Sequence, residues 1–419
     1  MVTIEIKNIG PIKEVKFDLN KINVFMGPQS SGKSTIAKIC SQCLWFEKNY
    51  ILTGDEYYFY KGLIDFHKMD KNYFSKDSEI KYESQWTVLN FKNKETIIEL
   101  KDNNNCIYQN LKIEYIPAER NFVSAIPNLQ RYSDSFNHII NFLNDWMLFK
   151  EVLTKDKKYS SPLRSVNTKY KYDTATKEDL ITLPNRKTIQ LQSSSSGQQS
   201  ITPLLLVCDY MYKELYTQKR NPSPAEKKHI SDLLPESMKE DYNWVVDMQN
   251  FQQSDKHAQN INTIENVKKK IWDKIGFSTD YHFSSVIVEE PEQNLFPETQ
   301  KELMYYLLEL VLQKGHNHTL FITTHSPYIL YALNNCMMGG LVTSQLKDKK
   351  EKTEFIGNKF LSEKSWINPQ SISVWELEDG MIRSIQDKDN IISENYFDVK
   401  MTELTDEYYQ MLNYYNNEE

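Results

Sequence analysis

"GPQSSGKST", Gly27 to Thr35, is the stretch on which the reading of this chain turns. It fits the pattern G-x-x-x-x-G-K-[S/T] in full. An apolar run, Ile22 to Met26, precedes it and reads as a strand. "STIAKICSQCLWF" follows and reads as a helix with Ile36, Ile39, Cys40, Cys43 and Leu44 on one face. Glycine lets the backbone curl until its N–H groups converge on phosphate oxygens, and the helix start adds partial positive charge. The expectation is a phosphate cradle made by Gly27, Pro28, Gln29, Ser30, Ser31 and Gly32. Lys33 reaches the β- and γ-phosphates, the Ser34 hydroxyl ligates Mg²⁺, and Thr35 is expected among the nucleotide-binding residues. A chance glycine-rich turn is the bland alternative, and the strand–loop–helix context argues against it.

Two further strand ends carry polar tips. "SVIVEEPEQNLFP" is an apolar strand ending in Glu289-Glu290. Carboxylates there sit where α/β sheets bind ligands, so one can support a metal and the other can polarise an attacking water. "TLFITTHSPYIL" is a second strand, ending at His325, whose imidazole suits a γ-phosphate or the water beside it. One helix, "PETQKELMYYLLELVLQKG", separates the two strands, so they are expected to be neighbours. The fold class that follows is α/β, with a mostly parallel central sheet.

The rest of the chain supplies an antiparallel β-lobe and helical insertions. "IKYESQWTVLNFKN", "ETIIELKD" and "CIYQNLKIEYI" read as strands parted by polar turns. Ser135 to Leu153 reads as a helix, and "KYKYD", "DLITLP" and "KTIQLQ" as short strands. The expected division is 1–130 for a phosphate-loop lobe with the β-lobe, 131–165 for a helical insertion, 166–335 for a second lobe holding the acidic and histidine strands, and 336–419 for an α/β extension. The second lobe contains a charged helical segment at about 211–275. The extension holds a hairpin turning at Asp379-Gly380 and a helix with Met401, Leu404, Tyr408, Leu412 and Tyr415 on one side. Five large groups at helical spacing lead us to expect a buried stripe, covered by the chain's own core or by a partner, the core being the commoner case.

Composition narrows the class. The 419 residues carry a net charge of −7, so no global basic field points to nucleic acid. Five irregularly spaced cysteines fit a reducing compartment, and Cys40 and Cys43 read as a packed thiol pair rather than a metal site. The charged, strand-like start and the absence of an 18-residue apolar run lead to the expectation of a cytoplasmic chain with no membrane segment.

Together the three motifs resemble the ABC-type ATPase heads of the SMC, RecF and OLD group. That resemblance gives a role to "SSSSGQQS", otherwise a flexible linker by composition. Such heads carry a signature loop of the L-S-G-G-Q kind before a helix and upstream of the acidic strand. Ser194-Ser195-Ser196-Gly197-Gln198 occupies that slot, with Ser194 and Ser196 in place of Leu and Gly. Glu289 stands where the family has Asp, and the following loop, "EQNLF", lacks the usual Asp. The resemblance implies ATP and Mg²⁺ as cofactors and a head-to-tail homodimer or higher oligomer. Ser195, Ser196, Gly197 and Gln198 would then act on the neighbouring chain's ATP. It implies Glu289 at the metal, Glu290 positioning water and His325 sensing the γ-phosphate. "YIPAERNFVS" resembles a segment common in the OLD-like branch after the β-lobe, a candidate for the Q-loop function with no single residue assigned to it.

With no second catalytic domain evident, the resemblance implies a switch that controls a separate effector, a toxin or nuclease, as in PARIS-type anti-phage systems. The alternative is a RecF-like repair ATPase that binds DNA, with "ENVKKKIWDKIG" as a basic helix. A nuclease of the OLD type rests on the Asp387 and Asp389 of "QDKDN", a bare two-Asp spacing.

Overall fold

The computed structural model describes residues 2–56, 58–102, 106–125, 136–217, 220, 222–251, 261–357 and 359–415. The chain opens with β1 (Val2–Ile9), β2 (Ile12–Leu19), β3 (Ile22–Met26), α1 (Lys33–Thr53) and a single turn, α2 (Phe59–Lys61). β4 (Phe74–Glu83), β5 (Thr87–Lys92), β6 (Glu95–Leu100) and β7 (Tyr108–Ile116) precede α3 (Phe122–Ala125) and α4 (His138–Thr154). β8 (Tyr159–Ser160), β9 (Lys169–Asp173), β10 (Glu178–Thr182) and β11 (Thr188–Gln190) lead into α5 (Ser196–Asp209). α6 (Pro224–Leu233), α7 (Glu236–Phe251) and α8 (Ile261–Ile275) come before β12 (Phe277–Glu289), α9 (Pro297–Val311), β13 (Thr319–Thr324) and α10 (Pro327–Gln345). α11 (Lys349–Gly357), β14 (Ile372–Glu378), β15 (Met381–Ser384) and α12 (Tyr396–Tyr415) follow.

The central sheet has the order β15-β14-β3-β13-β12-β7, and every pair is parallel except the β14–β15 hairpin. This is the expected α/β class. Its inner strands are apolar on both faces, as buried parallel strands must be. Ile22, Val24, Leu320, Ile322, Val286 and Val288 face one core, with α5, α9 and α10. Phe25, Phe321 and Ile287 face the other, with α1 and the β-lobe. Phe25 and Phe321 stack at 4.9 Å between centroids across adjacent strands. Such a buried ring contributes about 1.5–3 kcal/mol over an exposed one.

β1, β2, β4, β5 and β6 form the antiparallel lobe in the order β2-β1-β4-β5-β6. The sequence pattern grouped β7 with these strands; instead it pairs in parallel with β12, Tyr115 opposite Ile287. The hairpin turns where expected, with Asp379 at φ 50° and Gly380 at φ 80°, the two positive angles a tight hairpin turn needs. It joins the central sheet because β14 pairs with β3.

The helix expected from Ser135 begins at His138, capped by the Asn137 side chain on the N–H groups of Ile139 and Ile140. Ser135 itself lies outside the described residues. In α8, Lys268 turns inward to an ion pair with Asp280 at 2.8 Å, so it is no part of a DNA-facing edge. Asp387 of the two-Asp motif accepts from the N–H groups of Asp389 and Ile391 and closes a turn. Cys40 and Cys43 are buried free thiols.

Of the two covers expected for the α12 stripe, the commoner one is ruled out. The α12 stripe is not covered by the chain's core: Met401 is 66% exposed, Leu404 65% and Tyr415 79%, and no residue of the helix is buried. The periodicity was real, but it marks an amphipathic helix and does not say what packs on it.

Candidate nucleotide site

The loop between β3 and α1 has the curl the motif requires. Gly27 (φ 151°), Ser30 (φ 63°) and Gly32 (φ 110°) all adopt positive φ. A Cβ on Gly32 would stand 2.4 Å from the Ile12 side chain, so the loop can pass this close to β2 only without one. No side chain caps the start of α1 and no acidic residue lies in its first turn. The positive end of the helix is left for an anion. Lys33, 4% exposed, folds back into the loop and donates to Gly27 O at 2.9 Å and Pro28 O at 2.7 Å. Burial pushes its ammonium down to about 8, against the pull of Glu290, Glu292 and Glu289. The charge is held in place before any phosphate arrives.

Those three carboxylates stand at the ends of β12 and the turn after it. Glu289 is buried, shares the α1 side of its strand with Ile287, and accepts a short hydrogen bond from the Tyr115 hydroxyl. Burial raises its carboxyl above the ordinary range. Glu290 is half-exposed, with φ 44°, a strained angle for a side-chain-bearing residue and one that clusters at functional sites. His325 Nε2 stands 3.4 Å from Glu290 Oε1. The imidazole beside it holds the Glu290 carboxyl below its usual value. A deprotonated acid next to a histidine, across from a buried lysine, can orient a water toward a phosphorus atom.

Three residues essential to this geometry escaped the sequence reading. Arg120, 1% exposed, donates to the carbonyls of Glu289 (2.9 Å), Glu290 (2.8 Å) and Pro291 (3.2 Å). It clamps the strained turn and so aims Glu290. Tyr115 holds the Glu289 carboxylate. Glu292 accepts from the Thr324 hydroxyl at 2.9 Å and the His325 N–H at 2.5 Å, tying the acidic turn to the histidine strand. "YIPAER" was the available signal, but which of its residues mattered was not readable, because the partners lie about 170 positions away.

The expected metal set is Ser34 and Glu289. Ser34 is half-buried on the first turn of α1. Among the described residues no three His, Cys, Asp or Glu side chains could hold an ion alone. A hydroxyl and a carboxylate are oxygen donors of the kind Mg²⁺ takes, one or two from the protein with phosphate and water completing its octahedron.

The serine tract is ordered. Leu191–Ser193 is a 3₁₀ turn, and Ser195 caps α5 by accepting from the Gln198 N–H at 3.4 Å. Ser195 and Ser196 are exposed, at a helix start with no acid in its first turn. Gly197 abuts its own chain's acidic turn: a Cβ there would lie 2.9 Å from Asn294 O. Gln198 Oε1 accepts from the Thr168 hydroxyl at 3.3 Å, which turns its side chain to its own chain. Among the described residues no hydrogen bond joins 194–199 to the phosphate loop.

These parts define an α/β phosphate-loop protein. Residues 284–330, the acidic strand through the histidine strand, match the model of a family described as an AAA ATPase domain. No curated protein matches the chain. Among solved structures, the SMC head domain from Thermotoga maritima is similar at 11% identity and a TM-score of 0.34, over 79% of this chain and 90% of its own. An SMC head bound to the C-terminal domain of ScpA from Pyrococcus furiosus is similar at 10% identity and 0.37, over 92% and 96%. The recombination mediator RecF is similar at 9% identity and 0.31, over 91% and 97%. The class rests on the strand order and residues above, not on these superpositions. No helix among the described residues is long and apolar enough to cross a membrane.

Proposed function

We propose that the chain binds ATP at Gly27–Thr35 and hydrolyses it. The observation that carries this is the buried Lys33, folded into its own loop and facing the Glu290–His325 pair. Lys33 and the α1 N-terminus hold the phosphates. Ser34 and Glu289 would hold Mg²⁺, which when bound neutralises charge on the phosphate oxygens. Glu290 accepts a hydrogen bond from the attacking water and takes its proton, and His325 keeps that carboxylate charged and in place. Arg120 fixes the backbone on which Glu290 stands. The test is phosphate release from ATP by the purified chain, with and without EDTA. Release that EDTA abolishes supports the reading; neither ATP binding nor release would contradict it.

The exposed Ser195 and Ser196 support a second layer: two chains pair head to tail, and each serine loop closes the other's site. The uncovered stripe of α12 supports control of a separate protein effector, with anti-phage defence as the setting that the sequence resemblance implies. DNA binding is the second reading, favoured only by exposed Lys269, Lys270 and Lys274 on α8.

A further inference from the structure

The second half of α1 and the wall formed by β7 enclose a cavity of about 420 Å³, within the size range of small-ligand sites. The proposed ATP chemistry does not use it. Ser41, Gln42, Trp45 and Lys48 face it from α1, with Tyr58 and Lys61 from the segment opposite. Gln42, 2% exposed, donates to Tyr58 O at 3.4 Å and seats that segment on the helix. Trp45 and Tyr58 are 42% and 45% exposed, so their rings are not core filler.

The charges at this cavity do not balance. Lys112 is matched by Asp145 at 3.1 Å and Glu114 at 3.7 Å. Lys48 and Lys61 have no carboxylate within ion-pair distance among the described residues. Lys48 Nζ donates to Leu111 O at 2.9 Å and lies 5.0 Å from the Tyr281 ring centroid. Lys61 Nζ stands 5.6 Å from the Tyr58 ring. Arg220 approaches the Tyr281 ring at 5.0 Å as well, but it is matched by Glu226 at 2.6 Å. Asp65 is an acid on the lining. Burial pushes the Lys48 ammonium down, and Arg220 and Lys112 add to that. Burial alone would raise the Tyr281 phenol, yet the cations around it bring it below its ordinary value. Lys48 and Lys61 thus stand beside aromatic faces without a carboxylate of their own, which suits an anion borne on a ring.

The cavity also reaches the catalytic end. Tyr115 is one of its walls, and its hydroxyl is the donor to Glu289.

We propose that this cavity binds a small anion carried on a planar ring, of nucleoside-monophosphate size, with Lys48 and Lys61 on its charge and Trp45 and Tyr58 on its ring. Tyr115 relays occupancy to Glu289. The site is separate from the phosphate loop and stands or falls independently of the ATPase reading, whereas the relay rests on that reading.

The test uses the full chain carrying Lys33→Ala, so that the phosphate loop is disabled. The four ribonucleoside 5′-monophosphates and inorganic phosphate are titrated by calorimetry. At least one nucleotide should saturate one site with a Kd of about 1 mM or tighter, and phosphate alone should bind at least about tenfold more weakly. Lys48→Met, which keeps the length of the stem, and Trp45→Ala, at an exposed position, should each weaken the nucleotide at least about tenfold while circular dichroism stays native. No binding by any of the four, equal binding of bare phosphate, or binding that survives both substitutions would overturn the site. With the phosphate loop intact and ATP saturating, the bound nucleotide should change the hydrolysis rate at least about twofold. Tyr115→Phe should abolish that ratio and keep the binding. An unchanged ratio in Tyr115→Phe would overturn the relay.

Discussion

The phosphate loop and the serine loop are both short, Ser- and Gly-rich turns that open a helix, yet the structure treats them differently. The phosphate loop is filled from within: Lys33 is buried in it, β2 packs on Gly32, and three carboxylates face it. The serine loop is braced from behind by Asn294 and Thr168, and its Ser195 and Ser196 point outward. A loop with an internal cation can hold phosphate alone. A loop with only hydroxyls and a helix end needs its anion delivered by something else. On the proposed reading most of the binding energy belongs to the phosphate loop, and the serine loop would finish a site.

If that division is right, chemistry belongs to the phosphate-loop side. Glu290→Gln should keep ATP binding and lower hydrolysis by roughly 10²–10⁴-fold, the scale of a general base. Single-turnover kinetics would read it, and full turnover would move the role to Glu289 or Glu292. Arg120→Met should come next. It leaves three carbonyls of the acidic turn without their donor, each worth about 1–3 kcal/mol. We expect a loss of stability near 3 kcal/mol in chemical unfolding and slower hydrolysis with it; an unchanged midpoint would remove Arg120 from the account.

Lys33→Ala should weaken ATP about 10–100-fold, the worth of a charged hydrogen bond, by calorimetry. Ser195→Ala should leave the affinity of an isolated chain unchanged, and equal losses in the two variants would erase the contrast between the loops. The smallest effect is with pH. In the free chain Lys33 loses its proton near 8, and only the protonated form attracts phosphate. The loss of ATP affinity due to Lys33 should therefore begin about one unit below pH 8 and steepen above it to at most about tenfold per unit. Affinity held constant to pH 10 would mean an ordinary lysine.

What could be read from sequence was what is local. Gly27 to Thr35, the acidic tip of β12 and His325 each declare themselves within about ten residues, because strand, turn and helix start are short-range patterns. Arg120, Tyr115 and Glu292 act through partners brought close only by folding. Neither β7 nor α12 could be placed by pattern. Alternation looks the same in a lobe strand and a sheet-edge strand, and an apolar stripe looks the same covered or bare. Glu289 was assigned to the metal by position, and the Tyr115 hydroxyl that holds it appears only once β7 lies beside β12.

The contrast between the loops is tested most directly by mixing two disabled chains. One carries Lys33→Ala, the other Ser195→Arg, and neither should dimerise on ATP or hydrolyse it alone. If each serine loop completes its neighbour's site, a mixed dimer has one site with both defects and one with none. An equal mixture should then regain ATP-dependent dimerisation and up to about a quarter of wild-type hydrolysis, half the dimers being mixed with one intact site of two. No recovery, in a mixture shown by native mass spectrometry to exchange chains, would mean that the serine loop serves its own chain or no site at all.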